Sequence, residues 1–422
     1  MSTDLLTRSV TFEPTREAGL ARLEEFVPFA GSTYRNERNY DFGPDNRANV
    51  SALSPWVRHR LVTEEEICAR VLQDFALSST EKFIQEVMWR TYWKGWLELR
   101  PSAWAMYEAD LHTALEVAEA NGAIRRDYNA AVEGNTGIDC FDAWAKELVE
   151  TGYLHNHARM WFASIWIFTL QLNWTLGADF FYRNLMDADP ASNTLSWKWV
   201  AGLQTLGKNY VARASNIRKF SDGRFNPKGL NENAQALPGE PHGKPDMMQP
   251  MRPLPTGKKA YLLFTEDDCR AEELNFQRNT IVGAGGWDLS TERSPIVTGD
   301  VAKSFISGAV EDARKRVSAF FDVTTNAVEG ADALEEVVVD VTKSGAEIVI
   351  APYTPVGHAR QQIMKLANAL SQERMEFFEV RRDWDTRAWP NSTKGFFPFK
   401  EKIPNLLLDA GFDIKGKQRR VA

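Results

Sequence analysis

The amino-acid sequence predicts a protein of two domains, in which an all-α domain precedes an α/β domain. The chain has 422 residues, which is enough for two domains. Apolar residues recur at helical spacing in the first half, whereas short apolar runs alternate with amphipathic stretches in the last third. The segment between them is rich in Pro, Gly and polar residues. We therefore assign residues 1–227 to the all-α domain, 228–257 to a linker and 258–422 to the α/β domain.

Caps and apolar spacing predict the helices of the first domain. Thr63 and Glu66 have the spacing of a capping box and precede apolar residues at helical intervals. Ser79 or Thr80 is expected to cap the next helix, because small hydroxyl residues favour that position. Further helices are expected at 106–122, 140–151, 157–172 and 196–206.

Alternating short strands and helices are predicted in the second domain. Strands are expected at 260–264, 346–351 and 375–380, and helices at 301–321 and 359–372. This order is typical of a parallel sheet with helices on its faces. The glycine cluster Gly283 to Gly286 lacks the Gly-x-Gly-x-x-Gly pattern, so we interpret it as a plain turn.

Composition narrows the function classes. No apolar run reaches the roughly 18 residues of a membrane-spanning helix, so no membrane association is expected. The N-terminus lacks the pattern of a secretory signal, and a cytoplasmic location is expected. Cys68, Cys140 and Cys269 are far apart, which excludes a disulfide framework, and no metal site is predicted. With a net charge of −7, any contact with DNA must be concentrated in one patch.

Polar, charged and aromatic residues occur together in parts of the first domain, although each has a structural explanation when taken alone. Asp187 and Asp189 precede Pro190 and could cap the following helix. Tryptophans are usually core residues, and all but three of the 14 lie before residue 200. A functional interpretation therefore depends on the whole set of motifs.

Five segments in one order carry a family resemblance over about residues 34–227. They are Ser51-Ala-Leu-Ser-Pro, Glu86-Val-Met-Trp-Arg90, Thr136-Gly-Ile-Asp-Cys-Phe-Asp-Ala143, His155-Asn-His-Ala-Arg-Met160 and Asp187-Ala-Asp-Pro-Ala-Ser-Asn-Thr-Leu-Ser-Trp-Lys-Trp199. Together they resemble the flavin-binding domain of the photolyase and cryptochrome family. The resemblance implies an all-α FAD-binding domain of photolyase type, followed here by an α/β Rossmann-like domain.

The resemblance also implies the residues that hold FAD. By likeness, hydroxyl, backbone and cationic groups contact the diphosphate, and Arg159 pairs with Asp187 beside the isoalloxazine ring. Asn193 matches the position facing flavin N5, where a neutral amide donates or accepts a hydrogen bond. The full cofactor-binding set is Ser51, Leu53, Ser54, Arg90, Arg159, Asp187, Asp189 and Asn193.

Photochemistry is implied by two tryptophans of the same motifs. Trp197 and Trp174 match the inner members of the family's electron-transfer chain, and with Asn193 they form the predicted catalytic set. No tryptophan occurs between Tyr107 and Thr136, where the outer member is expected. Tyr107, Tyr128 or another exit are the alternatives for the missing member.

Contacts with UV-damaged DNA are implied by a further group. Photolyases extrude the lesion from the duplex and stack it on aromatic side chains. The predicted substrate-binding residues are Glu86, Trp89, Asn156, Met160 and Trp199. Asn156 and Met160 resemble the branch that repairs cyclobutane pyrimidine dimers. His157 stands where the family usually has arginine, so a titratable group replaces a permanent cation.

Two functions follow from the resemblance. The first is a FAD-dependent, blue-light-driven deoxyribodipyrimidine photolyase that splits cyclobutane pyrimidine dimers by electron transfer from reduced flavin. The alternative is a cryptochrome-like photoreceptor that signals to a partner through flavin photoreduction. The segment 394–404 is similar to the piece that closes the family's antenna domain, so the α/β domain is interpreted as a relocated antenna-type domain. A second chromophore and the oligomeric state are left open.

Overall fold

The first domain is helical in the computed structural model, which describes residues 9–416 except 275, 277 and 278. The outermost residues of the two predicted domains, 1–8 and 417–422, lie outside the described residues. The helices are α1 (Arg16–Phe26), α2 (Ser32–Glu37), α3 (Ser54–Arg58), α4 (Glu64–Asp74), α5 (Leu77–Glu98), α6 (Ser102–Ala120), α7 (Gly122–Val132), α8 (Asp139–Thr151), α9 (Asn156–Ser164), α10 (Trp174–Asn184), α11 (Pro190–Ala201) and α12 (Ala214–Phe220). A single π turn, Ile165–Thr169, follows α9 directly.

The cap predictions had different outcomes. Thr63 and Glu66 form the predicted capping box at the start of α4. The predicted cap of α5 is wrong, because the helix begins at Leu77 and the hydroxyls of Ser79 and Thr80 donate to the carbonyl of Ala76. The backbone N–H of Leu77 donates to the carbonyl of Ile414 at 2.9 Å. A contact from the far end of the chain therefore satisfies the donor that a capping side chain would otherwise bind.

The second domain is a parallel sheet with helices, as the alternation of elements predicts. Its strands are β1 (Lys259–Thr265), β2 (Thr280–Trp287), β3 (Thr325–Val328), β4 (Ile348–Pro352) and β5 (Glu376–Val380). Their order in the sheet is β3-β2-β1-β4-β5, and each neighbouring pair is parallel. The helices are α13 (Asp300–Phe321), α14 (Ala333–Ser344), α15 (His358–Gln372), α16 (Asp383–Ala388), α17 (Phe396–Lys400) and α18 (Ile403–Asp409).

The glycine cluster of the second domain lies inside β2, so its interpretation as a turn is wrong. A Cβ atom at Gly285 would lie 2.8 Å from the Tyr261 hydroxyl, and one at Gly286 would lie 2.7 Å from Cγ of Arg314. Glycine allows these side chains of β1 and α13 to approach the backbone of the strand. The pattern lacks the apolar side chains that usually identify a strand, which explains the error.

The linker and a set of buried ion pairs join the two domains. Residues 228–257 contain no helix or strand and pack against the helical domain. The backbone N–H groups of Leu237 and Asp246 donate to the carbonyls of Ala201 and Leu99, respectively. Behind α3, ion pairs reach the acidic segment that follows β1 and the helix α16. They are Arg58–Asp267 at 2.5 Å, Arg60–Asp268 at 3.1 Å and Arg60–Asp385 at 2.6 Å. The α/β domain therefore lies directly behind the segments that form the candidate site.

Among the described residues, no helix is both long and apolar enough to cross a lipid bilayer. Within the same residues, no three His, Cys, Asp or Glu side chains come together as a metal-binding group.

Candidate functional site

A cavity of about 550 Å³ lies within the helical domain, between the 50–57 segment, α5, α9 and α11. It brings together most of the side chains that the sequence motifs predicted. The predicted residues on its wall are Ser51, Leu53, Ser54, Glu86, Trp89, Arg90, Asn156, Arg159, Met160, Asp187, Asn193, Trp197 and Trp199. Asp189 and Trp174 do not line this cavity.

The 50–54 segment forms one wall of the cavity in an unusual backbone conformation. Ala52 has a φ of 52°, in the left-handed region that residues with a Cβ rarely adopt. Arg22 holds the segment from behind, because its side chain donates to the carbonyls of Ser51 at 2.9 Å and Val50 at 3.1 Å. Strained backbone held in place by its surroundings is common at ligand sites. The hydroxyl of Ser54 donates to the Asp187 carboxylate and so joins this segment to the opposite wall.

Arg159 and Asp187 form a two-pronged ion pair on the cavity wall. The two N···O distances are 2.9 and 2.8 Å, and Nε of Arg159 donates to the carbonyl of Leu154 at 2.9 Å. Burial opposes the charged form of Asp187, but Arg159 and the Ser54 hydroxyl outweigh it and lower the pKa of this carboxyl. The pair is therefore charged at neutral pH and presents a fixed cation to the cavity.

Asp189 serves both as a helix cap and as an ion-pair partner. Its Oδ1 accepts the backbone N–H groups of Ala191 and Ser192, both at 2.9 Å, at the start of α11. Its Oδ2 accepts from Arg90 at 3.0 Å. The expected helix cap is thus confirmed for Asp189, which also fixes Arg90 at the cavity edge.

The turn that carries Asp187 is supported by Arg58 and His59 of the helical domain and by Arg293 of the α/β domain. The carbonyl of Ala188 accepts from Nε of Arg58 at 2.8 Å and from Arg293, which is 4% exposed. The carbonyl of Met186 lies 3.1 Å from Nε2 of His59, whose Nδ1 lies 2.8 Å from the carbonyl of Glu266. The sequence motifs did not identify these supports, because they join segments more than 100 residues apart.

Polar atoms on the deep wall of the cavity are suited to a polar, aromatic ligand. Nδ2 of Asn193 donates to the carbonyl of Ala178 at 2.8 Å, which fixes the amide. Nε1 of Trp197 and Nε2 of His155 are buried and have no hydrogen-bond partner among the described residues. Buried polar atoms normally have a partner, so a bound molecule can supply one here. With the cation at Arg159 and the adjoining hydroxyls, the wall fits a flavin nucleotide.

The mouth of the cavity carries two tryptophans that other rings hold in place. Trp89 stacks on Phe396 of α17, with ring centroids 3.5 Å apart and an interplanar angle of 12°. Trp199 stacks on Tyr210 with a centroid distance of 5.7 Å. The sequence suggested a family likeness around Phe396 but gave no signal for Tyr210. Both rings restrict the motion of their tryptophans and so provide rigid surfaces for stacking.

The remaining predicted substrate residues share the same opening. Asn156 and Met160 are four residues apart on α9 and therefore lie on one helix face. Glu86 pairs with Arg38, and burial raises the pKa of its carboxyl although Arg38 opposes that shift. These side chains give the mouth a mixed polar and apolar lining.

The side chain of His157 is fixed by contacts within the protein and is not a free cation on the surface. Its Nδ1 lies 2.9 Å from the carbonyl of Asn39, and its ring stacks on Trp161 at a centroid distance of 4.1 Å. Burial lowers the pKa of the imidazole. His157 is therefore neutral at physiological pH, unlike the arginine that the family usually has there.

The two predicted electron-transfer tryptophans have different surroundings. Trp197 lies on the cavity wall and is 2% exposed, with ring contacts to Phe162, Trp166 and Phe181. Trp174 begins α10, outside the cavity, and its ring centroid lies 6.0 Å from that of Tyr107.

Comparison with known proteins gives a match within the helical domain. Residues 83–230 match the family model described as the FAD binding domain of DNA photolyase. The matched segment contains every predicted site residue except Ser51, Leu53 and Ser54.

Similar proteins cover only part of this chain. A deoxyribodipyrimidine photo-lyase of Streptomyces griseus is 31% identical over 195 residues, which are 43% of this chain and 41% of that protein. A cryptochrome DASH of Idiomarina loihiensis is 26% identical over 241 residues, or 56% of this chain and 51% of that protein. A solved Synechocystis cryptochrome structure has a TM-score of 0.41 and 24% identity, and the match covers 51% of this chain and 45% of that one. The chain spans about half or less of the length of these proteins.

Proposed function

We propose that this chain, whose residues 83–230 match the FAD binding domain of DNA photolyase, is a light-driven photolyase that splits cyclobutane pyrimidine dimers in DNA. One observation carries the proposal. All predicted flavin-holding residues except Asp189, and all five predicted lesion-contacting residues, line a single cavity. A flavin held on the deep wall would therefore lie directly beneath a lesion that enters through the mouth.

The proposed division of roles follows from the geometry. Arg159, fixed by Asp187, and the amide of Asn193 orient the flavin, while Ser51 and the backbone at Leu53 contact its phosphates. Ser54 and Arg90 act from the edge, through Asp187 and Asp189 respectively. When bound, FAD supplies light absorption and an electron that returns after the dimer is split.

At the mouth, Trp89 and Trp199 stack the extruded bases, since their planar faces are held by Phe396 and Tyr210. Glu86, Asn156 and Met160 complete the contact with the lesion. Burial raises the pKa of the Glu86 carboxyl although Arg38 opposes that shift, and the carboxyl oxygens can accept a hydrogen bond from a pyrimidine N–H. The neutral state of His157 leaves backbone binding to the exposed basic residues near α12.

The test is a repair assay with an oligonucleotide that contains one cyclobutane thymine dimer. The protein is first reduced chemically and then illuminated with blue light, and restored thymines are quantified by chromatography. We expect repair that requires light. Absence of repair by fully flavin-loaded, reduced protein would refute the proposal.

That negative result would favour a blue-light photoreceptor of the cryptochrome kind. One specific observation supports this second candidate, namely that the cation expected at position 157 is replaced by a neutral, internally bonded imidazole. A receptor needs flavin photoreduction but no lesion binding. Light-dependent change in protease sensitivity without repair would identify it.

We also propose that the α/β domain is a relocated antenna-type domain. The segment 394–404 that suggested this forms α17 and the start of α18, and it packs against α5 through Phe396 and Phe399. Small molecules other than FAD, released when the purified protein is denatured, would show that this domain or its interface holds a second chromophore. Release of FAD alone would remove the support for an antenna pigment.

A further inference from the structure

The aromatic contacts of Trp197 lead away from the cavity through Trp166. The two indole rings have centroids 6.2 Å apart and meet at 87°. Gly177 lies against both rings, because a Cβ at this position would be 2.4 Å from Cη2 of Trp197 and 2.9 Å from Cε2 of Trp166. Glycine therefore permits the close approach of the two tryptophans. The other ring neighbours of Trp197 are phenylalanines, which are much harder to oxidise.

The surroundings of Trp166 would leave the indole N–H proton on the ring after the side chain is oxidised. Trp166 is 0% exposed and lies on the π turn Ile165–Thr169. Its Nε1 donates to the carbonyl of Asn173 at 2.9 Å, and a carbonyl is too weak a base to take the proton. An oxidised Trp166 would thus remain a cation and a strong acceptor for a further electron. Single π turns are frequent at functional sites.

Tyr128 provides the contact from Trp166 to the surface. The two ring centroids are 6.1 Å apart, and Tyr128 lies on the half-buried face of α7. Its hydroxyl accepts a long hydrogen bond from Arg183 at 3.4 Å. Because this phenol is near solvent, it can release a proton to water when it is oxidised.

The ring contacts that begin at Trp174 lead to buried side chains, unlike those that lead from Trp166 to Tyr128. The ring contact of Trp174 is with Tyr107, which is 3% exposed and whose hydroxyl has no hydrogen-bond partner among the described residues. From Tyr107 the next contact is Trp104, which is also buried at 4% exposed. Trp174 itself is partly exposed, but the ring contacts that start from it continue into the protein, where the Tyr107 proton has no acceptor among the described residues.

We propose that Trp166 and Tyr128 form the route by which electrons reach Trp197, an inference that rests on the flavin photochemistry of the proposed function. Trp197 gives one electron to the light-excited flavin. Trp166 then gives one electron to oxidised Trp197, and Tyr128 gives one to oxidised Trp166. Tyr128 loses its phenolic proton to water at the same step. An external thiol returns one electron and one proton to Tyr128 and leaves as a thiyl radical.

The experiment compares illuminated, FAD-loaded full-length variants by two readouts, the rate of flavin photoreduction with dithiothreitol and the tyrosyl radical seen by electron paramagnetic resonance. Trp197→Phe should slow photoreduction while FAD stays bound. Trp166→Phe should slow photoreduction as strongly, and Tyr128→Phe should remove the tyrosyl signal. The matched control Tyr107→Phe should leave both readouts as in the parent protein, and Trp174→Phe should slow photoreduction less than Trp166→Phe does.

A photoreduction rate that falls in Trp174→Phe but not in Trp166→Phe would overturn the route, and so would equal losses in both variants. A tyrosyl signal that persists in Tyr128→Phe would also overturn it. If Trp166→Phe fails to fold, the half-exposed Tyr128→Phe still decides the question. Repair by chemically reduced protein does not use this route, so a failed repair assay would remove the photolyase proposal without changing the radical result.

Discussion

Replacing Asp187 by asparagine should weaken FAD binding more than it weakens the fold. The substitution keeps the size of the side chain but removes the charge that balances Arg159. Without FAD, water in the cavity can hydrate the guanidinium, whereas bound FAD would cover it. The cost of an unbalanced buried cation therefore arises mainly on binding.

The size of the effect follows from the burial of the pair. Breaking a fully buried ion pair by removing one partner costs about 3–5 kcal/mol. The Arg159 side chain is 23% exposed, against 2% for Asp187, which reduces that cost. Asparagine also keeps one acceptor oxygen for the guanidinium. We therefore expect a loss of about 2–3 kcal/mol, which corresponds to a Kd about 30- to 150-fold higher.

The assay is a titration of flavin-free protein with FAD, followed by flavin fluorescence, together with thermal unfolding of both forms. Asp179→Asn is the matched control, because Asp179 is equally buried but bonds to Ser294 outside the cavity. The control should retain the parent Kd. An unchanged Kd in a folded Asp187→Asn variant, or equal losses in both variants, would refute the reasoning.

Two further predictions concern the mouth of the cavity. Trp89→Ala should weaken binding of a dimer-containing oligonucleotide by about 5- to 150-fold, because stacking contributes roughly 1–3 kcal/mol per base. The FAD content of the variant should be unchanged. Equal binding to parent and variant would show that the lesion does not stack on Trp89. Because burial lowers the pKa of His157, His157→Gln should not change DNA affinity at pH 7.5. As the pH falls through the lowered pKa of the imidazole, the parent should gain affinity relative to the variant, because His157 becomes charged. Fluorescence anisotropy across this pH range measures the difference, and a gap between the two proteins that is already present at pH 7.5 would contradict the assigned neutral state.

Short-range chemistry explains what the sequence could predict. A capping box depends on residues three apart, so Thr63 and Glu66 were sufficient to locate α4. The site motifs are also local, and the structure brings most of their members to one cavity. The apolar spacing of α13 and α15 likewise gave helices within one residue of their observed starts.

Features that depend on distant segments could not be predicted. Phe396 supports Trp89 across a separation of 307 residues, and nothing near Trp89 in the sequence indicates it. The start of α5 depends on Ile414 in the same way. The general expectation that tryptophans lie in the core holds for Trp166, but its position between Trp197 and Tyr128 is visible only in three dimensions.

The ion pairs behind α3 also determine how the protein should respond to heat and denaturant. Unfolding one domain alone would remove one partner from each of the buried pairs Arg58–Asp267 and Arg60–Asp268 and leave the other partner on the folded domain without its ion pair. An intermediate with one domain folded and the other unfolded would therefore be high in free energy. The two domains should melt in one cooperative transition, and neither half should persist alone as a stable fragment.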